Sequence, residues 1–241
     1  MKIVLSVLIW LLVAVMSVLV FLASSFIAVF LFPFDRDRKT VHTFGYWWAD
    51  GILAANPFWS LKVTGLENID PHKTYVIVAN HQSLFDIALL YKTHMQFKWI
   101  AKESLFSIPI FGWNMSMAKH VKIARGEHGS IKQAYDQAAG WLKKGISVLF
   151  FPEGTRSATN ELNTFKNGAF KLAIQEKKPI LPISISGTRD IIPRGSFILK
   201  KAEAVCTLKV LPAIETKDLL PEDFARLKDV VRTKLSDHPV S

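Results

Sequence analysis

A histidine and a carboxylate stand five positions apart in the stretch VIVANHQSLFD, residues 76–86. His81 directly follows a short apolar run with the composition of a buried strand, and Asp86 comes one helical turn further on. An imidazole can take a proton from a hydroxyl near neutral pH, and a carboxylate on its second ring nitrogen fixes the tautomer. The spacing therefore indicates a general base, His81, held in orientation by Asp86.

A structural explanation competes for the same residues. Ser83 and Asp86 fit the S-x-x-[DE] pattern that begins a helix, with Ser83 as the N-cap. This pattern accounts for Ser83 and Asp86 without any chemistry, but it leaves His81 unexplained. Ser83 is also the nearest candidate nucleophile, a role that competes with capping. Both interpretations stay open at this point.

A second polar loop follows another apolar run in SVLFFPEGTRS, residues 147–157. Gly154 lets the backbone approach a ligand closely, Thr155 offers a hydroxyl, and Arg156 carries a planar guanidinium that suits phosphate. Glu153 either orients the loop or pairs with Arg156. A polar turn with one arginine is a weak signal alone, and it gains weight as a second such loop after a second strand.

Two further cations also follow strand-like segments. Lys102 ends FKWIAK and Arg125 ends HVKIAR, and each alone reads equally well as a solvated surface charge. Parallel strands bring their carboxyl ends to one edge of a sheet, so these cations would join His81 and Arg156 in an anion-binding mouth. His81 with one carboxylate is too small a ligand set for a metal ion, and no metal site is expected.

Short apolar strands alternate with helices from residue 61 onward. The strand candidates are LKVTGL, TYVIVA, FKWIAK, HVKIAR, SVLFF, PILPISIS and AVCTLKVLP. Helices are predicted over residues 83–91, 110–117, 130–143, 165–175 and 221–235. This alternation predicts an α/β fold, with a mostly parallel central sheet of about seven strands flanked by helices.

The N-terminal residues differ sharply from the rest. Residues 3–34 carry no charge, and a run of about 20 apolar residues already spans a bilayer. A membrane-embedded helical segment is therefore predicted to precede the sheet, with the Ser24-Ser25 pair as a candidate kink. A secretory signal peptide is the alternative, but the apolar run continues well past the small residues at 23–25.

Aromatic residues gather after the apolar run, at Tyr46, Trp47 and Trp48. Residues 46–56 are predicted to form a second helix on or in the bilayer, or else these aromatics fill the base of the core. The predicted division is a membrane-anchoring part, residues 1–59, and an α/β domain, residues 60–241.

The charge balance favours a lipid partner over nucleic acid. The net charge is +10, yet no basic arm or nucleic-acid module is present, so no nucleic acid is expected. Anionic headgroups suit this charge beside an apolar anchor, which makes the membrane surface a partner. Arg36, Arg38 and Lys39 follow the apolar run and favour the cytoplasmic side. The lone Cys206 excludes an intramolecular disulfide and is predicted to be a core residue.

Four blocks of the sequence together resemble a known family. NHQSLFD, VKIARG, FPEGTRS and ILPISISG, the last with Pro182, are similar to the membrane-bound glycerolipid acyltransferases, in particular those acting on 1-acylglycerol 3-phosphate. The first block carries their H-x4-D signature at His81 and Asp86. The third matches almost letter for letter, whereas the second lacks the aromatic residue that often precedes its arginine, here Arg125.

The resemblance implies transfer of an acyl group from acyl-CoA or acyl-carrier protein to lysophosphatidic acid, which makes phosphatidic acid in phospholipid biosynthesis. It implies that His81 deprotonates the acceptor hydroxyl, that no acyl-enzyme forms, and that no cofactor is permanently bound. Lys102 would contact phosphate in this family pattern. The implied acceptor-binding residues are Arg125, Glu153, Gly154 and Arg156, and Thr155 joins them as a candidate from the loop chemistry.

Alternative functions stay open. The acceptor is otherwise another lyso-lipid or glycerol 3-phosphate, or the His–Asp pair activates water in a thioester or lipid hydrolase. A non-enzymatic lipid-binding protein is a further alternative, against which the intact polar motifs argue. The expected location is the cell inner membrane, with the site facing the cytoplasm.

Overall fold

The computed structural model of the chain describes residues 2–31, 33–124, 128–159 and 161–237. Within these ranges one sheet is built from β1 Trp59–Thr64, β2 Val76–Ala79, β3 Phe97–Lys102, β4 Val121–Ile123, β5 Ser147–Phe150, β6 Ile180–Ser186 and β7 Ala204–Val210. The strand order is β1-β7-β6-β2-β5-β3-β4. The predicted α/β class and seven-stranded sheet are confirmed.

Strand direction divides the sheet into two parts. The five strands from β6 to β4 run parallel to their neighbours. In contrast, β7 is antiparallel to β6, and β1 is parallel to β7. The sheet is thus mostly parallel, as predicted, but the reversal of β1 and β7 is a feature that the strand–helix alternation does not reveal.

Helices cover both faces of the sheet. They are α1 Lys2–Phe30, α2 Lys39–Leu53, α3 Phe85–Tyr91, α4 Phe111–Met117, α5 His128–Lys143, α6 Gly168–Gln175, α7 Thr188–Ile191 and α8 Phe224–Ser236. Ile77 and Ala79 of β2 share a core with α1, α2 and α3, while Val76 and Val78 share another with α5, α6 and α8. All four β2 residues are therefore buried, which explains the continuous apolar run before His81.

Several helix boundaries differ from the predictions. The helix expected over 83–91 begins at Phe85, that expected over 165–175 begins at Gly168, and that expected over 46–56 is Lys39–Leu53. Residues 221–223 form a 3-10 turn before α8. The four-residue α7 is absent from the predictions, because so short a helix shows no periodicity.

The N-terminal helix α1 runs without interruption through Ser24-Ser25. It is long and apolar enough to cross a membrane, and only 17% of its most apolar stretch is buried against the rest of the fold. The hydroxyls of Ser6 and Ser17 donate to the carbonyls of Lys2 and Val13, 2.6 and 2.7 Å away, which satisfies these polar groups inside the helix.

Contacts along its whole length hold α1 against the rest of the fold. Near its start the Lys2 ammonium donates to the Lys200 carbonyl at 2.8 Å, and near its end the Arg38 guanidinium donates to the Ala28 carbonyl at 3.2 Å. Midway, the Trp48 indole N–H donates to Ser17 Oγ at 2.9 Å. The helix therefore lies across the fold instead of projecting from it.

Two buried side chains bear on stability. Cys206 lies in β7 with 1% of its surface exposed, which confirms the predicted core role. The Lys98 ammonium is also buried and donates to the carbonyls of Asp37 and Ala118, each 2.7 Å away. Lys98 thus ties β3 to the turn between α1 and α2 and to the end of α4.

Because of Lys98, the free energy of unfolding should vary with pH in the alkaline range. Burial lowers the pKa of its ammonium from 10.5 to about 8. Between these pH values the unfolded chain binds more protons than the folded chain, so this group makes the free energy of unfolding increase with pH. We expect Lys98→Met to remove that increase, which is measured as the melting temperature of both proteins in detergent between pH 7.5 and pH 10.5.

The control for this prediction is Lys62→Met, which removes an exposed lysine from the edge strand β1. Its curve of melting temperature against pH should run parallel to that of the unmodified protein. A parallel curve for Lys98→Met as well would contradict the assignment.

Candidate active site

The end of β2 is fixed to the neighbouring strand β6 directly before the predicted base. The Asn80 side-chain amide donates to the Ile185 carbonyl and accepts from the Ile185 N–H, both at 2.8 Å. Asn80 is buried, so this two-way bridge is shielded from water. The loop that begins at His81 therefore starts from a defined point at the carboxyl edge of the parallel strands.

The predicted His81–Asp86 contact is present. His81 Nδ1 lies 2.7 Å from Asp86 Oδ2, and this oxygen also accepts the backbone N–H groups of Gln82 at 2.6 Å and Ser83 at 2.9 Å. The other oxygen, Oδ1, accepts a hydrogen bond from the Thr188 hydroxyl. Four donors thus stabilise a carboxylate that is wholly buried.

Capping and orientation of the histidine are therefore functions of one carboxylate. By accepting the Ser83 N–H, Asp86 forms half of the capping box that the sequence predicts. The other half is missing, because Ser83 Oγ accepts from Phe85 N–H at 3.3 Å and donates to the Ile192 carbonyl at 2.7 Å. Ser83 is fully buried and engaged in these bonds, which disfavours it as a nucleophile.

The His81 ring is held from the side by an aromatic residue. It stacks on Phe151, with ring centroids 3.9 Å apart and planes inclined by 13°. With Nδ1–H donating to Asp86, the remaining nitrogen Nε2 is an acceptor. His81 and Phe151 both line the large cavity described below, so the imidazole forms part of its wall.

Glu153 joins the loop after β2 to the loop after β5. Its Oε1 accepts the backbone N–H of His81 and its Oε2 that of Asn163, both at 2.9 Å. A further bond, from Ser157 N–H to the His81 carbonyl at 2.7 Å, reinforces the junction. Burial raises the pKa of the Glu153 carboxyl. These contacts favour the orienting role of Glu153 over pairing with Arg156.

Four of the predicted binding residues line the same cavity. Lys102, Gly154, Thr155 and Arg156 all line it together with His81. Gly154 has φ +68°, and a Cβ there would lie 3.0 Å from Lys166 Cε, so the position favours glycine. The predicted Arg125 lies outside the described residues.

The cavity has a volume of about 480 Å³, within the usual range for small-molecule sites. Its cations are Lys102, at the end of β3, and Arg156 and Arg194, in loops. Its apolar lining comes from α1, α2, α3, α4 and neighbouring segments: Val20, Val41, Trp48, Leu84, Ile87, Trp99, Leu105, Phe111, Met115 and Phe151. The arrangement suits a molecule with an anionic group and a long apolar part.

Two site residues escape prediction from the sequence. Thr188 contacts Asp86 from α7, and the Arg194 guanidinium donates to the Arg156 carbonyl at 3.1 Å from the segment after α7. Thr188 stands two residues after β6, as His81 does after β2, but a threonine carries no charge or imidazole that would mark it as a candidate. Arg194 lies eight residues after β6, too far from the strand end for that signal. Among the described residues, no three His, Cys, Asp or Glu side chains lie together in a way that could hold a metal ion.

The family of the chain follows from comparison with known proteins. Residues 60–186, more than half of the chain, match the family model described as Acyltransferase. The chain therefore belongs to the Acyltransferase family. The matched region includes His81, Asp86 and the loop that carries Arg156.

Two relatives carry names more specific than the family description. A chloroplastic 1-acyl-sn-glycerol-3-phosphate acyltransferase, LPAT1 of Arabidopsis thaliana, is 41% identical over 169 residues, which are 69% of this chain and 47% of that protein. The human 1-acyl-sn-glycerol-3-phosphate acyltransferase alpha is 33% identical over 178 residues, 71% of this chain and 61% of that protein. The chain thus spans about half the length of the plant relative.

A solved structure is similar over nearly the whole chain. The crystal structure of the 1-acyl-sn-glycerophosphate (LPA) acyltransferase PlsC from Thermotoga maritima superposes with a TM-score of 0.82 at 28% sequence identity. The match covers 98% of this chain and 95% of that one, so it includes the N-terminal helices as well as the sheet.

Proposed function

We propose that the chain transfers a fatty acyl group from an acyl thioester to the free hydroxyl of lysophosphatidic acid, forming phosphatidic acid. The observation that carries this proposal is the cavity itself, in which a His–Asp pair, several cations and a long apolar lining converge. The relatives from Arabidopsis thaliana and human, both 1-acyl-sn-glycerol-3-phosphate acyltransferases, agree with it.

In the proposed reaction His81 acts as the general base. Its Nε2 takes the proton of the acceptor hydroxyl while the oxygen attacks the thioester carbonyl carbon. The C–S bond then breaks, and the imidazolium returns its proton to the departing thiolate. Asp86 stabilises the imidazolium that forms between these steps. No acyl-enzyme is needed, because the substrate supplies the nucleophile and the Ser83 hydroxyl is buried.

The remaining cavity residues would bind the two substrates. Arg156 and Lys102, with Arg194 beside them, suit the phosphate of the acceptor. The apolar walls suit an acyl chain, whose burial is favourable in proportion to the apolar area removed from water. The donor would be acyl-CoA or acyl-carrier protein, since both present the same thioester.

We place the enzyme on the membrane with α1 in the plane of one leaflet. At about 1.5 Å per residue its 29 residues extend about 44 Å, and contacts at both ends keep the helix beside the fold. A helix that crossed the bilayer would carry the attached sheet into the hydrocarbon. This location, with the site facing the cytoplasm at the inner membrane, supplies a lipid acceptor directly.

The function is tested with the purified full-length chain in phospholipid vesicles and a labelled acyl thioester. Separate reactions contain lysophosphatidic acid, another lyso-phospholipid, glycerol 3-phosphate or no acceptor. We expect labelled phosphatidic acid from the first. Release of free fatty acid without a diacyl product would show a hydrolase, and faster acylation of another acceptor would overturn the proposed substrate.

Thr188 is expected to position the catalytic pair through Asp86. Thr188→Val keeps the side-chain shape but leaves Asp86 Oδ1 without its donor. A hydrogen bond to a charged group contributes roughly 1.5–3 kcal/mol, so we expect kcat to fall about tenfold or more. KM for both substrates should change little, because Thr188 is not among the residues that line the cavity.

Thr188→Ser supplies the rescue, since serine restores the hydroxyl and should restore kcat. Thr216→Val is the matched control, because Thr216 is equally buried but donates to Ala173 and Lys178. It should lower the melting temperature without changing kcat. Equal losses of kcat in the two valine variants would contradict a positioning role for Thr188.

A further inference from the structure

We propose that the loop of residues 192–199 inserts into the phospholipid bilayer beside α1, as a second membrane contact far from the N-terminus in sequence. The occupant of this surface is a bilayer that contains anionic lipid. The inference rests on the membrane location of α1 proposed above, and it adds a specific apolar contact that is supplied by the α/β part of the chain.

The loop is closed at its base and presents its apolar tip in a fixed way. The N–H groups of Lys200 and Lys201 donate to the carbonyls of Ile191 and Asp190, at 2.9 and 3.0 Å. At the tip, the Ser196 hydroxyl bridges both backbone groups of Ile198, at 2.9 and 3.1 Å. Such a loop with joined ends is compact and holds its own shape.

The tip exposes two large apolar side chains that nothing within the described chain covers. Phe197 is 68% exposed and Ile198 is 50% exposed. Single exposed apolar residues are ordinary, but these two adjoin the exposed apolar surface of α1. The Trp10 indole N–H donates to the Phe197 carbonyl at 2.6 Å, and the two rings are 5.6 Å apart. The loop therefore extends the lipid-facing surface of the helix.

Two more contacts fix the loop to the first turns of α1. The Ser6 hydroxyl accepts the Leu199 N–H at 2.9 Å, and the Lys2 ammonium donates to the Lys200 carbonyl at 2.8 Å. Ile3 and Val7 on these turns are more than half exposed. A bilayer deep enough to cover Ile3 and Val7 would therefore reach Phe197 as well.

Charge around the loop suits the headgroup region. Lys2, Arg194, Lys200 and Lys201 surround its base, and Asp190 pairs with both Lys200 and Lys201 at 2.8 and 2.7 Å. Cations at the base and apolar side chains at the tip match anionic headgroups above acyl chains. A second protein copy is a poorer occupant, because two side chains fall far below the roughly 800 Å² per partner of a stable interface.

The same segment contacts the site from the other side. The carbonyl of its first residue, Ile192, accepts a hydrogen bond from the Ser83 hydroxyl, and the Arg194 guanidinium donates to the Arg156 carbonyl. Thr188, in the short helix that leads into the loop, holds Asp86. Insertion of the tip would therefore set the distance between the cavity and the lipid surface.

Selective labelling of the tip tests the proposal directly. Phe197→Cys is labelled with an environment-sensitive fluorophore, and the native Cys206 stays unlabelled because it is buried and burial raises its thiol pKa to about 12. The labelled full-length protein is added to vesicles of equal parts phosphatidylcholine and phosphatidylglycerol. Val230→Cys, on α8 at the opposite face of the sheet and 42% exposed, is the matched control.

On vesicles we expect the label of the Phe197→Cys variant to shift to the blue, to be quenched by lipids spin-labelled on the acyl chain, and to be shielded from iodide. The label of the Val230→Cys variant should stay open to iodide. Iodide access to the first label on vesicle-bound protein would overturn the proposal. Shielding from iodide without quenching by the lipid label would show a protein partner and would overturn it equally.

Activity provides an independent second readout. The double variant Phe197→Ser/Ile198→Ser should acylate vesicle-embedded lysophosphatidic acid several-fold more slowly, while Leu220→Ser/Val230→Ser, with two exposed residues near or on α8, should not. Equal rates in both double variants would contradict a role for the tip. The fluorescence result needs no catalysis, so failure of the proposed function and failure of this inference remain distinguishable.

Discussion

The His81→Ala variant is expected to lose acyl transfer by about 10²–10⁴-fold, the contribution of a positioned general base. Asp86 holds Nδ1 of the His81 ring, and that ring lines the cavity. Because the backbone N–H of His81 makes the contact with Glu153, that contact survives the substitution. The loss is measured as kcat for phosphatidic acid formation in vesicles.

The matched control is His72→Ala, which removes an exposed imidazole from the loop before β2. Both variants should float with vesicles as the unmodified protein does, because α1 is unchanged. Unchanged turnover in His81→Ala would refute the assignment of the base. Loss of turnover together with loss of vesicle flotation would instead point to misfolding, which the melting temperature reveals.

The Asp86→Asn variant is expected to lose about 10⁴-fold in kcat, the scale seen when a triad carboxylate becomes an amide. The amide oxygen can still accept the N–H groups of Gln82 and Ser83, and the amide nitrogen can donate to the Thr188 hydroxyl. The negative charge that stabilises the imidazolium is gone. Stability should therefore change little while turnover falls steeply.

Asp86→Ala separates the two functions of this carboxylate. It removes the acceptor for the helix-start N–H groups as well as the charge, so it should add a loss of stability of about 1 kcal/mol or more. Comparison of kcat and melting temperature in the two variants distinguishes catalysis from capping. Asp86 would be mainly structural if Asp86→Asn lowered the melting temperature as much as Asp86→Ala does and lowered kcat by less than tenfold.

The sequence predicts the site as far as local patterns reach. The predicted residues lie at the end of an apolar run or in the loop and first helical turn after it. The parallel strands β2, β3 and β5 bring Lys102, His81 and the Glu153–Arg156 loop to one edge. The apolar composition of β2 follows from burial on both faces. These features depend on a few neighbouring residues each, so they can be read without the fold.

The missed features depend on long-range topology. Thr188 meets Asp86 across 102 positions, and its helix α7 has only four residues. Strand β7 is antiparallel to β6 because the connection from β6 leads back into the sheet at the edge where β6 ends. The apolar pattern of a strand does not indicate its direction. The Ser83 hydroxyl accepts the Phe85 N–H near the helix start, and it also donates to the Ile192 carbonyl, 109 positions away. A tertiary contact thus adds a second role to this residue, which no local pattern reveals.

The apolar helix α1 also contributes serines to the candidate active site. Ser17 and Ser24, with Val20 between them, form part of the wall of the substrate cavity. Deleting the helix to obtain a water-soluble enzyme would therefore open the cavity to solvent. An interfacial helix is sensitive to curvature and lipid composition, so in the proposed location both would act directly on the shape of the site. In the proposed location, the composition of the membrane would thereby affect which substrates the cavity accepts.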